Sequence, residues 1–93
     1  METNGLPGAE LIQEGLGDLA RGLETVPSLL VSIGAPRLRL LGFEVSLELP
    51  AAERRLYKLL EKDGADSAHG RYNSLVRLLV SFERAAALRR RAA

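Results

Sequence analysis

The sequence predicts an all-α protein, a small bundle of four to five helices with an extended connection at 43–49 and a long carboxy-terminal helix. Three observations carry this reading. Apolar residues recur at spacings of three and four along most of the chain, the period of a helix with one buried stripe. Between Leu75 and Phe82 six of eight residues are large and apolar, interrupted only by Arg77 and Ser81, which lie four apart and so share a face. Finally, Gly34, Gly42, Pro50 and Gly64 punctuate the chain into pieces of helical length.

Composition bounds what such a protein can be. With 93 residues, 46% of them hydrophobic and 27% charged, the chain is one globular domain with a modest core. It has no cysteine, so disulfides and thiolate metal sites are excluded, and one histidine cannot build a zinc site alone. No metal or other cofactor is expected. The longest uncharged run, Thr25 to Pro36, is twelve residues, short of the roughly 20 that a membrane helix needs. The amino-terminal residues lack the basic start and apolar core of a secretory signal, so a cytoplasmic location is expected. The net charge of +1 hides an asymmetry: residues 1–50 carry seven acids and three bases, residues 51–93 five acids and ten bases. Such halves either face one another, within or between chains, or mark a nucleic-acid surface.

Residues 1–8, with Gly5, Pro7 and Gly8, read as a frayed lead-in, and 91–93 as a frayed end. From Ala9 the residues Ile12, Leu16, Leu19, Leu23 and Val26 form a helical stripe, with Glu10, Glu14, Asp18 and Arg21 pointing away. Gly8, Gly15 and Gly22 recur every seven residues and Gly17 adds a fourth, although a glycine inside a helix costs about 1 kcal/mol against alanine. Either the seam admits another helix backbone or tertiary packing rescues a weak helix. Thr25 caps a second helix with Pro27 in its first turn, ended by Gly34; a short third helix follows, Arg37 to Leu41, closed by Gly42. Phe43, Val45, Leu47 and Leu49 alternate with polar residues at the period of a strand, but no second strand exists to pair with them, so an extended connection is expected. Pro50 opens a fourth helix, with Ala52, Leu56, Leu59 and Leu60 on its apolar face. Beyond Gly64, Asp66 or Ser67 caps the final helix, whose Arg89–Arg91 run suits its dipole.

Two surfaces of the final helix are candidates for function. Leu75, Leu78, Leu79 and Phe82 make its apolar face wide enough to suggest an interaction surface. His69, Asn73, Arg77, Ser81 and Arg84 form a polar ridge that could grip a phosphate or carboxylate, although a solvated face is the plainer explanation. The sequence holds no nucleophile elbow, phosphate loop or dinucleotide fingerprint, and no intrinsic catalysis is expected. The expected function is therefore protein interaction, as a self-assembling module or accessory subunit. A homodimer or higher homo-oligomer is the expected state, supported by the apolar helix, the glycine seam and the unpaired strand-like segment. The rival is DNA binding through a helix-turn-helix-like corner at 25–42, with Arg37 and Arg39 outward.

Overall fold

The computed structural model describes residues 3–92, and among them five helices and no strand: α1 (Ala9–Ala20), α2 (Val26–Ile33), α3 (Ala35–Leu40), α4 (Ala52–Lys62) and α5 (Ala65–Ala92). The fold is the expected small all-α bundle with a long last helix. At 1.5 Å per residue the 28 residues of α5 extend about 42 Å, which matches the long axis of the 42 × 25 × 18 Å molecule. No helix is long and apolar enough to cross a membrane.

The helix around which the others gather is α2, which touches all four of its fellows. Its eight residues carry no charge, and Ser28 to Ser32 are buried in succession, so only its two ends, at Val26, Pro27 and Ile33, are partly exposed. The hydroxyls inside it are satisfied. Thr25 and Ser28 form a capping box, with Thr25 Oγ1 accepting from Ser28 N (3.1 Å) and Ser28 Oγ accepting from Thr25 N (2.8 Å). Ser32 Oγ donates to Ser28 O (2.8 Å) and accepts from Leu49 N (3.0 Å).

The glycines of α1 divide by cause. Gly15 lies against α2, where a Cβ would overlap the Pro27 carbonyl oxygen and stand 2.6 Å from Val31 Cγ2. The close helix approach expected of the seam thus exists at one glycine, and its partner is α2 of the same chain. Gly17 faces open space, and Gly22, with φ +73°, lies beyond the helix end. The helix stops at Ala20, earlier than its stripe suggested, leaving Leu23 44% exposed and passing Val26 to α2. Asp18 does not point away. Its carboxylate is buried, accepting from Thr25 Oγ1 (2.8 Å) and Arg21 Nη2 (2.7 Å), which ties the end of α1 to the cap of α2.

Local details at both chain ends and at two helix starts differ from the sequence reading. The lead-in is docked: Leu6 belongs to the core, and Gln13 Nε2 donates to Thr3 Oγ1 (3.2 Å). At the other end Arg91 and Ala92 are helical, while Ala93 lies outside the described residues. Pro50 precedes α4, because Ala51 takes a left-handed conformation (φ 53°, ψ 40°) as the cap and the helix begins at Ala52. Likewise α5 begins at Ala65, and Ser67 Oγ donates back to Gly64 O (3.2 Å). The segment 43–49 is an extended connection held from within the chain. Arg39 donates to Val45 O, Ser46 O and the Glu48 carboxylate (2.9 Å at Oε1), and Ser32 takes Leu49 N. Its alternation is only partly used: Phe43 packs on Phe82 (ring centroids 5.4 Å apart), whereas Leu47 is 87% exposed.

Candidate docking groove

The two candidate surfaces resolve differently. Leu79 and Phe82 are core residues, so the apolar face of α5 is largely consumed inside the chain. Leu78 covers the amino end of α1, where a Cβ on Gly8 would meet its Cγ at 2.8 Å. Leu75 is half-buried and, with Val26 and the Gly70 turn of α5, lines a shallow depression of about 600 Å³. Of the four, Leu75 lines this depression and Leu79 the edge of another, beside Ile33 and Val76. The polar ridge is solvated for most of its length: His69, Arg77, Ser81 and Arg84 are exposed and Asn73 half-exposed. Its amino end also leans on α4, with Asn73 Nδ2 3.2 Å from His69 Nε2 and the imidazole 6.5 Å from the Tyr57 ring, which stacks in turn with Tyr72 at 5.6 Å. Burial, then the charge of Glu53, raises the Tyr72 phenol above its ordinary value.

Only Arg84 of that ridge joins a built feature, on the flank of α5 where α4 has ended and α3 lies alongside. Helical spacing brings Val76, Val80, Glu83, Arg84, Ala87 and Arg91 onto this flank. Opposite stand Ile33, Pro36 and Arg37. Together they enclose two depressions of about 310 and 290 Å³, and Arg37 lines both. From Val76 to Arg91 the flank runs about 22 Å, four helical turns. The close seating of α3 depends on Gly34, since a Cβ there would stand 2.9 Å from both Leu79 Cδ1 and Glu83 Oε2. Arg90 fixes the far end by donating from Nη1 to Leu40 O (2.8 Å).

The groove joins three chemical elements. Its floor is aliphatic, and Leu88 beside it is 64% exposed. Its rim carries the guanidinium groups of Arg37, Arg84 and Arg91, none of which forms an ion pair among the described residues. Glu83 sits on the floor, only 7% exposed, and among the described residues its carboxylate accepts no hydrogen bond. Burial pushes its carboxyl above the ordinary 4.5, with the charge of Arg37 opposing. Sequence reasoning missed Glu83 as a functional residue. The available signal was an acid standing in line with Val76, Leu79 and Val80, at positions where the apolar stripe continues.

The corner at 25–42 has the two-helix outline expected of it, but its two arginines differ. Arg37 is on the groove rim; Arg39 is committed to the 43–49 connection. No group of three or more histidines or carboxylates that could hold a metal occurs among the described residues. Comparison with family models, curated proteins and solved structures finds no match to the chain.

Proposed function

We propose that this protein is a protein-interaction module whose groove between α3 and the carboxy-terminal half of α5 receives an acidic amphipathic helical segment of another protein. The observation that carries the reading is the pairing of an aliphatic floor with three rim arginines that form no ion pair among the described residues. Apolar anchors fill such a floor while carboxylates at helical spacing meet the rim, the usual division of labour in helix-in-groove recognition. Nucleic acid would use the arginines and leave the floor and Leu88 uncovered. A flat bilayer surface would not enter a concave groove. Duplex binding through α2 and α3 is disfavoured further, because Arg39 is already engaged and phosphate-directed binding depends on several available cations.

Fluorescence anisotropy with a labelled helical peptide, Leu on one face and Glu on the other, tests this. Saturable binding is expected, weakened about threefold to a hundredfold when Arg37, Arg84 and Arg91 are all replaced by alanine, since exposed pairs contribute about 0.2–1 kcal/mol each. Arg71→Ala, on the other flank, should bind as the parent does. Absence of binding, or equal loss in Arg71→Ala, would overturn the reading. Preference for duplex DNA over the peptide would do so in favour of nucleic acid, and a dimer in sedimentation that the triple substitution dissolves would make a second copy the occupant.

A further inference from the structure

Glu83 makes a demand that the groove's other residues do not. Its carboxylate is sunk among Ile33, Pro36, Val76, Leu79 and Val80, against the bare backbone of Gly34. It accepts no hydrogen bond among the described residues, and Arg37, the cation nearest it in effect, is outside ion-pair distance. In the open groove water reaches the carboxylate oxygens. A segment laid over the floor removes that water, and a carboxylate left there without a donor would weaken docking without abolishing it.

Resting on the docking function proposed above, we infer that Glu83 is a specificity-determining residue: the segment that fills the groove presents one lysine or arginine, among its acidic and apolar residues, to the Glu83 carboxylate. The rim selects an acidic segment and the floor selects a single cation at one position in it. Together these discriminate more sharply than either alone, because a wrong residue over Glu83 leaves a buried charge unanswered. A cation serves better than a hydroxyl, since it answers the charge as well as the hydrogen-bonding capacity. The arrangement also accounts for Gly34, whose missing side chain leaves room for the carboxylate at the floor.

A peptide of about 16 residues, long enough as a helix to run from Val76 to Arg91, provides the probe. In a series of such Leu/Glu peptides, each apolar position is replaced in turn by lysine, and binding is measured to the parent and to Glu83→Gln. The expected result is one register at which lysine strengthens binding to the parent about tenfold, within the range of close interfacial charge pairs. Glu83→Gln should lose that preference and bind the all-Leu peptide more tightly than the parent does, because no unanswered charge is covered. In the parent, the preferred peptide should also shift the Glu83 carboxyl resonance to titrate at lower pH. Binding with no lysine preference, or a preference retained by Glu83→Gln, overturns this inference and leaves the docking function standing. No binding by any peptide overturns both.

Discussion

Gly15 and Gly17 lie two residues apart in α1, yet alanine should change stability in opposite directions at the two. At both, relief of the helical glycine penalty favours alanine by about 1 kcal/mol. At Gly17 nothing lies within 4 Å of the new methyl, so that gain is kept whole. At Gly15 the methyl would overlap the Pro27 carbonyl oxygen and come within 2.6 Å of Val31 Cγ2. A valine methyl can rotate away, but a backbone carbonyl cannot, so α1 and α2 must move apart. Overpacking of this kind costs about 1–3 kcal/mol, and a fixed backbone atom puts it at the upper end. The net expectation is a loss of about 2 kcal/mol for Gly15→Ala against a gain of about 1 kcal/mol for Gly17→Ala. For a domain of this size each kcal/mol moves Tm by about 4–8 °C. Thermal melts followed by circular dichroism should therefore show Gly15→Ala melting about 8–16 °C lower and Gly17→Ala about 4–8 °C higher. If Gly15→Ala melted above the parent, the α1–α2 contact would be wrong and the seam free for another purpose.

Three other outcomes follow from the packing. Asp18 is held below its ordinary 3.8 first by the Thr25 hydroxyl and then by Arg21. Its contribution is complete above that value and lost as pH falls through the lowered one, so Asp18→Asn should destabilise at neutral pH and match the parent in strong acid. Glu83 has the opposite sign. Its raised value means the charged form is disfavoured, so Glu83→Gln should melt higher than the parent at neutral pH, and the difference should close as pH falls towards 4.5; a lower Tm at neutral pH would show the charge to be internally compensated. Arg39→Ala should speed amide exchange of residues 44–48 while changing Tm little, because its pair with Glu48 is half-exposed; unchanged exchange would mean Arg39 does not hold that segment.

The helices were legible because helical burial imposes a period on the sequence, and the caps because Thr25 and the glycines have stereochemical reasons to be where they are. The identity of the central helix was not read, although its signal was present: the uncharged run Thr25 to Pro36 is too short for a membrane and of the length of a fully buried core helix. The apolar breadth of α5 is the more conspicuous signal, and it is explained by contacts with α2, α4, Gly8 and Phe43 at different heights along one long helix. Alternation at 43–49 suggested a strand because an extended chain crossing a core edge also buries alternate residues; a side chain, Arg39, takes the carbonyls that a neighbouring strand would have taken. The groove was unreadable in principle, since Arg37 and Arg84 come together only through the docking of α3, which no local pattern encodes.

Each of the three grounds for self-assembly finds contacts within the chain: Leu79 and Phe82 of the apolar helix are core residues, Gly15 faces α2, and the 43–49 connection is held by Arg39 and Ser32. The charge asymmetry is not met in the same way. Among the described residues Arg21–Asp18 and Arg39–Glu48 lie within the amino half and Arg71–Asp63 within the carboxy half, and only Arg55–Glu24 joins the two. Along α5 after Asp66 there are six arginines and a single acid, and that acid is buried. Folding thus leaves Arg37, Arg84 and Arg91 of this flank without an ion-pair partner among the described residues. A second copy could offer the outer face of α1, where Glu10 and Glu14 are exposed, but the inward residues Ile12, Gly15 and Leu19 are already occupied and few apolar anchors remain to enter the floor. A segment that brings carboxylates and free apolar side chains together satisfies rim and floor at once, which favours another protein over a second copy as the proposed occupant.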